Sequence, residues 1–189
     1  MSVSSVLFWR RTDVEGLERL ALSVTSEGIT ATSKVICLEA GGFCLEHRWR
    51  IDRAWHAQSA DVERWNAQGH TDLRLERDGT AWRVNGVLRS DLEGADEPDL
   101  SVTPFCNTFA ILRTPAAAGE SFSLDTAFID AATMTVSRSR QRYDRLGQGR
   151  LRYVDLGLLR GFEAELVVDD DGLVVRYESL FERVAPAMS

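Results

Sequence analysis

Residues 43–55 alternate with a period of two. The odd positions read Phe43, Leu45, His47, Trp49, Ile51, Arg53 and Trp55, and the even ones Cys44, Glu46, Arg48, Arg50, Asp52 and Ala54. Successive side chains of a strand point to opposite faces, so this pattern predicts a strand with one apolar and one charged face. Leu20, Leu22 and Val24 alternate in the same way with Arg19, Ala21 and Ser23, and Glu27-Gly28 offers a turn into a strand over 29–36. Phe122, Leu124, Thr126 and Phe128 share a face of a later strand, and segments 134–143 and 151–154 complete the set. The acidic stretch 91–99 is predicted to be an exposed loop.

Two hairpins can be paired from the sequence. With Asp78-Gly79 as a two-residue turn, Arg77 faces Thr80, Leu75 faces Trp82 and Leu73 faces Val84. The same register opposes Arg74 and Arg83, an unfavourable like-charge pair unless both reach water or an anion. With Asp171-Gly172 as the turn, Val168 faces Val175, Leu166 faces Tyr177 and Phe162 faces Phe181. The run Asp169-Asp170-Asp171-Gly172 lacks the spaced oxygen ligands and closing glutamate of a calcium loop, so a plain turn is expected.

One segment breaks the alternation. Over 103–113, Phe105, Phe109 and Leu112 share helical spacing, as do Phe105, Thr108 and Leu112. Thr103 can cap the start, Pro104 suits the first helical position, and Pro115 enforces a stop. A helix there is apolar over most of its circumference, which implies burial on nearly all sides. The expected fold is mainly β: one long, curled antiparallel sheet with a single short helix, about 103–113, on its concave face. No linker or repeat divides residues 1–189, so a single domain is expected.

Composition narrows the function classes. The 22 Lys and Arg against 29 Asp and Glu leave a net charge of −7, which disfavours nucleic acid as the main partner. Lys34 is the single lysine. No apolar run reaches transmembrane length, and the charge after the short apolar start is not a signal-peptide pattern, so no membrane span and a cytoplasmic location are expected. Cys37, Cys44 and Cys106 form no CxxC motif and are expected as reduced, buried thiols, although Cys37 and Cys44 lie on neighbouring strands.

At the helical segment, Thr103-Pro104-Phe105-x-Asn107-Thr108-x-x-Ile111-x-Arg113 resembles the signature of the putative glycolipid-binding family. Trp49-Arg50-Ile51-Asp52, Asp91-Leu92-x-Gly94, Asp99-Leu100, Gln141-Arg142-Tyr143 and Arg152-Tyr153 resemble its other motifs in order. Segments 162–169 and 172–177 resemble its final hairpin. The chain departs from the pattern at Ala110, Leu112 and Ala95, where the family has a proline, a second arginine and a cysteine. The resemblance implies a spiral β-roll wound around one helix, commonly a homodimer, that binds a lipid or glycolipid. That label rests on likeness of the roll to lipoprotein carriers, and fold alone does not establish function.

No catalytic constellation stands out. His47, His56 and His70 lie in no nucleophile motif and lack metal-ligand spacing, so neither a catalytic site, a metal nor a cofactor is expected. His47, on the apolar face, is expected as a satisfied core histidine, with a ligand or base role as the alternative; His56 and His70 are expected in water. Trp49, Trp55, Trp82, Phe105 and Phe109 either line a cavity or fill the core. Arg138, Arg140 and Arg142, with Arg145, Arg150 and Arg152 behind them, make either a solvated outer face or an anion or subunit site. The leading reading is a non-enzymatic binding protein with Trp49, Trp55, Trp82, Phe105, Asn107, Thr108, Arg113, Tyr143 and Tyr153 as ligand-binding residues. The alternative is a homodimeric structural or scaffolding module with a solid core. An enzyme ranks third, to be revived by His47 grouped with carboxylates in an open cleft.

Overall fold

Alternating apolar residues turn nearly the whole chain into strands. The computed structural model describes residues 3–185. In chain order the strands are β1 (Val3–Arg11), β2 (Gly16–Val24), β3 (Ile29–Cys37), β4 (Phe43–Ile51), β5 (Ala57–Asn66), β6 (Gly69–Asp78), β7 (Ala81–Val84), β8 (Val87–Arg89) and β9 (Glu97–Leu100). The helix α1 (Asn107–Arg113) follows. Then come β10 (Ser121–Asp130), β11 (Thr135–Gly147), β12 (Arg150–Asp155), β13 (Glu163–Val168), β14 (Val174–Tyr177) and β15 (Phe181–Val184).

All fifteen strands belong to one sheet. From edge strand β8 the order descends to β1, which pairs with β15, and then descends again to β9 at the other edge. The chain thus starts mid-sheet, walks out to one edge, crosses over and walks back. Every pairing is antiparallel except β9 with β10. The sheet is rolled until its edges face each other without a ladder between them. Across this seam Gly94 N donates to Thr80 O at 2.8 Å, Trp82 Nε1 to Ala95 O at 2.9 Å and Arg64 to Ala131 O at 3.1 Å. These bonds blunt edges that could otherwise pair with another chain.

The concave face holds the core. Trp9, Trp49, Trp82, Phe105 and Phe109 are fully buried. In α1, residues Asn107, Thr108, Phe109, Ala110 and Ile111 are all buried, so the helix is covered on every side as its sequence predicted. Phe109 meets Trp49 at 5.5 Å and Phe105 at 5.1 Å, both edge-on, the arrangement aromatic quadrupoles favour.

Several local expectations change. β4 ends at Ile51, because the Asp52 carboxylate accepts bonds from Ala54 N (2.8 Å) and His56 N (3.0 Å) and folds the chain into a turn. Trp55 lies in that turn with φ 66° instead of on the strand face. The first hairpin turns at Gly79-Thr80, one residue later than expected, with Gly79 at φ 63°. Leu75 then faces Val84, Arg77 faces Trp82 and Glu76 faces Arg83. This register removes the Arg74–Arg83 opposition and stacks the Arg77 guanidinium 4.4 Å from the Trp82 ring. In the last hairpin Leu166 does face Tyr177, but a bulge puts Val168 opposite Val174. Phe162 and Phe181 are not paired, since the chain turns after Tyr177 and sends β15 back to β1.

The helix begins later than expected. Asn107, Thr108 and Phe109 donate to Pro104, Phe105 and Cys106 in a tighter i→i−3 pattern, so regular α geometry starts at Asn107. The acidic stretch 91–99 is not simply exposed: Leu92, Ala95, Glu97 and Pro98 are buried, and β9 begins within it.

Candidate functional site

Where the expected site residues fall separates core from cavity. Trp49, Trp82, Phe105 and Thr108 are sealed in the core. Asn107 and Tyr153 line a cavity of about 470 Å³ beside the segment that leads into α1. Tyr143 is buried behind them and donates to Asn107 Oδ1 at 2.8 Å and Gln141 Oε1 at 3.2 Å.

The cavity is walled by aromatic rings from distant parts of the chain: Phe128 on β10, Tyr153 on β12, Phe162 before β13, Tyr177 on β14 and Phe181 on β15. Its charged groups are mostly carboxylates: Asp13, Glu39, Asp99, Asp130 and Asp155 against Arg11. Asp99 and Asp155 both face it, with Asp130 at its margin. Gln141 Nε2 donates to Asp99 Oδ2. Burial pushes the Asp99 carboxyl up to about 6; the Gln141 bond opposes this and the charge of Asp155 adds to it. Asp155 Oδ1 accepts from Gly157 N (2.8 Å) and Leu159 N (3.0 Å), which shapes the β12–β13 loop. Arg11 is the cavity's single cation and is already committed, at 2.5 Å from Asp13 and 2.6 Å from Glu39. A ligand here meets rings and acceptors, which suits a neutral, hydroxyl-bearing group better than an anion.

Asp99, Asp155, Phe128, Phe162, Tyr177 and Phe181 were outside the expected site. A signal existed for two pairs. Gln141 and Tyr143, and Tyr153 and Asp155, each put polar groups on the inward parity of a strand, where an ordinary core carries apolar ones.

Arg113 takes another role. Its guanidinium lies 2.5 Å from Glu97 Oε1, which Arg77 also approaches at 3.2 Å, while Ala57 N donates to Glu97 Oε2 at 2.8 Å. This cluster ties β9 and the end of α1 to β5 and β6 across the seam. Burial pushes the Glu97 carboxyl up to about 7, against the pull of Arg113, the Ala57 N–H and Arg77.

His47 is a satisfied core histidine. Trp49 Nε1–H, which can only donate, lies 2.7 Å from His47 Nδ1, so the ring hydrogen belongs on Nε2 and points at Glu18 Oε1, 3.0 Å away. The same Glu18 oxygen accepts from Ser33 (2.7 Å) and Thr103 (3.0 Å). All of these groups are buried, and of them Thr103 alone lines the cavity.

The arginine row is largely neutralised within the chain. Arg138 pairs with Asp125 at 2.6 Å, Arg142 with Asp144 at 2.8 Å and Arg150 with Glu165 at 2.5 Å, while Arg145 caps the Ile111 and Thr114 carbonyls at 2.9 Å each. His56 and His70 are solvent-exposed beside Asp52 and Glu63. All three cysteines are free; Cys37 and Cys106 are buried, but Cys44 is exposed because its position on β4 faces outward. Asp169 Oδ1 accepts from Asp171 N and Leu173 N, a side-chain-closed turn. Among the described residues no group of three or more His, Cys, Asp or Glu is placed to hold a metal. No described helix is long and apolar enough to cross a membrane.

A family model described as putative glycolipid-binding matches residues 6–183. A DUF1089 family protein from Pseudomonas aeruginosa, known from its crystal structure, has the same fold with a TM-score of 0.79. It is 30% identical, over 88% of this chain and 92% of that one. No curated protein matches the sequence.

Proposed function

Since this chain belongs to the putative glycolipid-binding family, we propose that its cavity beside α1 holds a glycolipid without chemically changing it. The observation that carries this reading is the cavity's combination of an aromatic wall with inward carboxylates. Sugar hydroxyls donate to Asp99 and Asp155, and the rings cover the apolar faces of the sugar and the first part of the chain. About 470 Å³ lies within the range of small-molecule sites. The committed state of Arg11 favours an uncharged sugar over a phosphate or sulfate. Free thiols, one of them exposed, suit a reducing compartment, in line with a cytoplasmic location.

Calorimetric titration with octyl glucoside below its micelle concentration tests this. Saturable binding is expected, with octyl phosphate at least tenfold weaker and Phe128→Trp, which fills the cavity, at least tenfold weaker again. Absence of saturable binding, or equal affinity for the phosphate, contradicts the reading.

A second reading, a homodimer, has its own observation on the outer face of the sheet. Leu17, Ile36, Cys44 and Trp65 are cross-strand neighbours in one exposed row. The next row reads Arg19, Lys34, Glu46, Glu63, Asp72, basic at one end and acidic at the other. A two-fold axis parallel to the strands would set each basic end against the partner's acidic end, so the face is self-complementary. Light scattering coupled to gel filtration should show a dimer that Ile36→Glu converts to monomer. A monomeric wild type would rule this interface out.

A further inference from the structure

We propose that the loop between β12 and β13 is a membrane-touching lip, on which Leu158 and Leu159 enter the surface of an uncharged bilayer at the mouth of the cavity. The inference rests on the reading that the cavity takes a lipid-like ligand, and it adds how that ligand is reached. Leu158 is 51% exposed and Leu159 60% exposed, yet both stand at the cavity's edge. Leu38, 61% exposed, follows β3, which ends at this same end of the roll.

The exposure is built into the fold. Leu156 N donates to Arg140 O (2.8 Å), Leu158 N to Ser139 Oγ (3.3 Å), and Gly157 N and Leu159 N to Asp155. Phe162 N closes the loop onto Leu159 O at 2.9 Å. At Gly157 a Cβ would come within 2.4 Å of Ser139 Oγ and 2.6 Å of Arg140 N, so the backbone is pressed flat against β11. A loop held this way cannot fold its leucines inward, and two large apolar side chains stay in water unless something covers them.

The charges around the lip select the covering surface. Asp13 and Glu39 are both engaged by Arg11, and Asp155 is engaged by the loop backbone. Arg160, exposed beside the leucines, has no ion-pair partner among the described residues. One arginine next to two leucines suits the interface of a zwitterionic bilayer, where its head can reach lipid phosphates while the leucines enter the acyl boundary. Among the described residues the unpaired cations at this loop are Arg160 and Arg140, whose backbone holds it, too few to seek anionic lipid, and a net charge of −7 repels such lipid. A bilayer also leaves the cavity mouth facing the supply of ligand.

Flotation of the full chain with phosphatidylcholine vesicles tests the lip. The wild type is expected to float, equally well at low and high salt. L158E/L159E is expected to lose at least about tenfold in partitioning, since burial of one leucine already corresponds to about that factor. L158W/L159W is expected to float and to show blue-shifted tryptophan emission on adding vesicles. Failure of the wild type to float, equal flotation of the glutamate variant, or an unshifted emission would overturn the lip. So would a glutamate variant whose only change is dissociation of a dimer, which would make the loop an interface between copies. Octyl glucoside titration of the wild type separately decides the cavity reading.

Discussion

Glu18→Ala is expected to lower stability by about 3–5 kcal/mol, since three buried donors lose their shared acceptor at about 1–3 kcal/mol each. Glu18 sits on the inner face of β2, and one of its oxygens gathers the Ser33 hydroxyl, the His47 Nε2–H and the Thr103 hydroxyl. Alanine leaves three buried donors without their shared acceptor. The Thr103 bond spans 85 residues and fixes the entry to the helix, so the loss falls on α1 as well as on the sheet. For a chain of this size the change corresponds to a midpoint lowered by about 6–20 °C. Urea melts measure it, and amide exchange should quicken first around residues 103–109. Glu18→Gln should be milder, because Oε2 has no partner to lose. A loss below about 1 kcal/mol for the alanine variant would remove this hub from the account.

The second large effect is Arg113→Met, with an expected cost of about 3 kcal/mol at pH 8 that shrinks toward pH 5. Glu97 keeps Arg77 and the Ala57 N–H but loses its nearest counter-charge. Its carboxyl, already raised to about 7 by burial, must rise further. A carboxyl whose folded value lies above its unfolded one favours the folded state below the unfolded value, and that advantage is lost as pH rises through the folded one. The variant's stability should therefore fall between about pH 4.5 and its new, higher folded value, while wild type falls alongside it only up to about 7, so the gap between them should open above about pH 7. Adding Glu97→Gln should recover at least half of the loss at pH 8. Equal costs at pH 5 and pH 8 would show that Arg113 acts through packing alone.

The sequence revealed the fold more fully than the site, for identifiable reasons. Alternation reports which face of a strand is buried, and β4 shows it on every odd residue from Phe43 to Ile51. It does not report register to the residue. A slip of the Gly79 turn by one position keeps Leu75, Trp82 and Val84 on one face, and only the charges on the opposite face and the Arg77–Trp82 stack choose between the two registers. The buried helix was readable from Phe105, Phe109 and the flanking prolines, but the Thr103–Glu18 bond that anchors its entry joins residues far apart in sequence. Asn107 and Tyr153 line the cavity while Trp49 and Trp82 fill the core; an aromatic ring that fills a core and one that lines a pocket look alike in sequence. Asp99 and Asp155 meet only because β9 is carried to the far edge of the sheet, and no local pattern encodes that crossover.

The central claim is that the space between the aromatic wall and α1 receives the sugar of a lipid-like molecule. A crystal structure grown with octyl glucoside addresses it directly. The account predicts density for the sugar between Asp99, Asp155 and Phe128, with the alkyl chain running toward Leu158 and Leu159. An empty cavity, with the detergent ordered only on the outer surface, would contradict it.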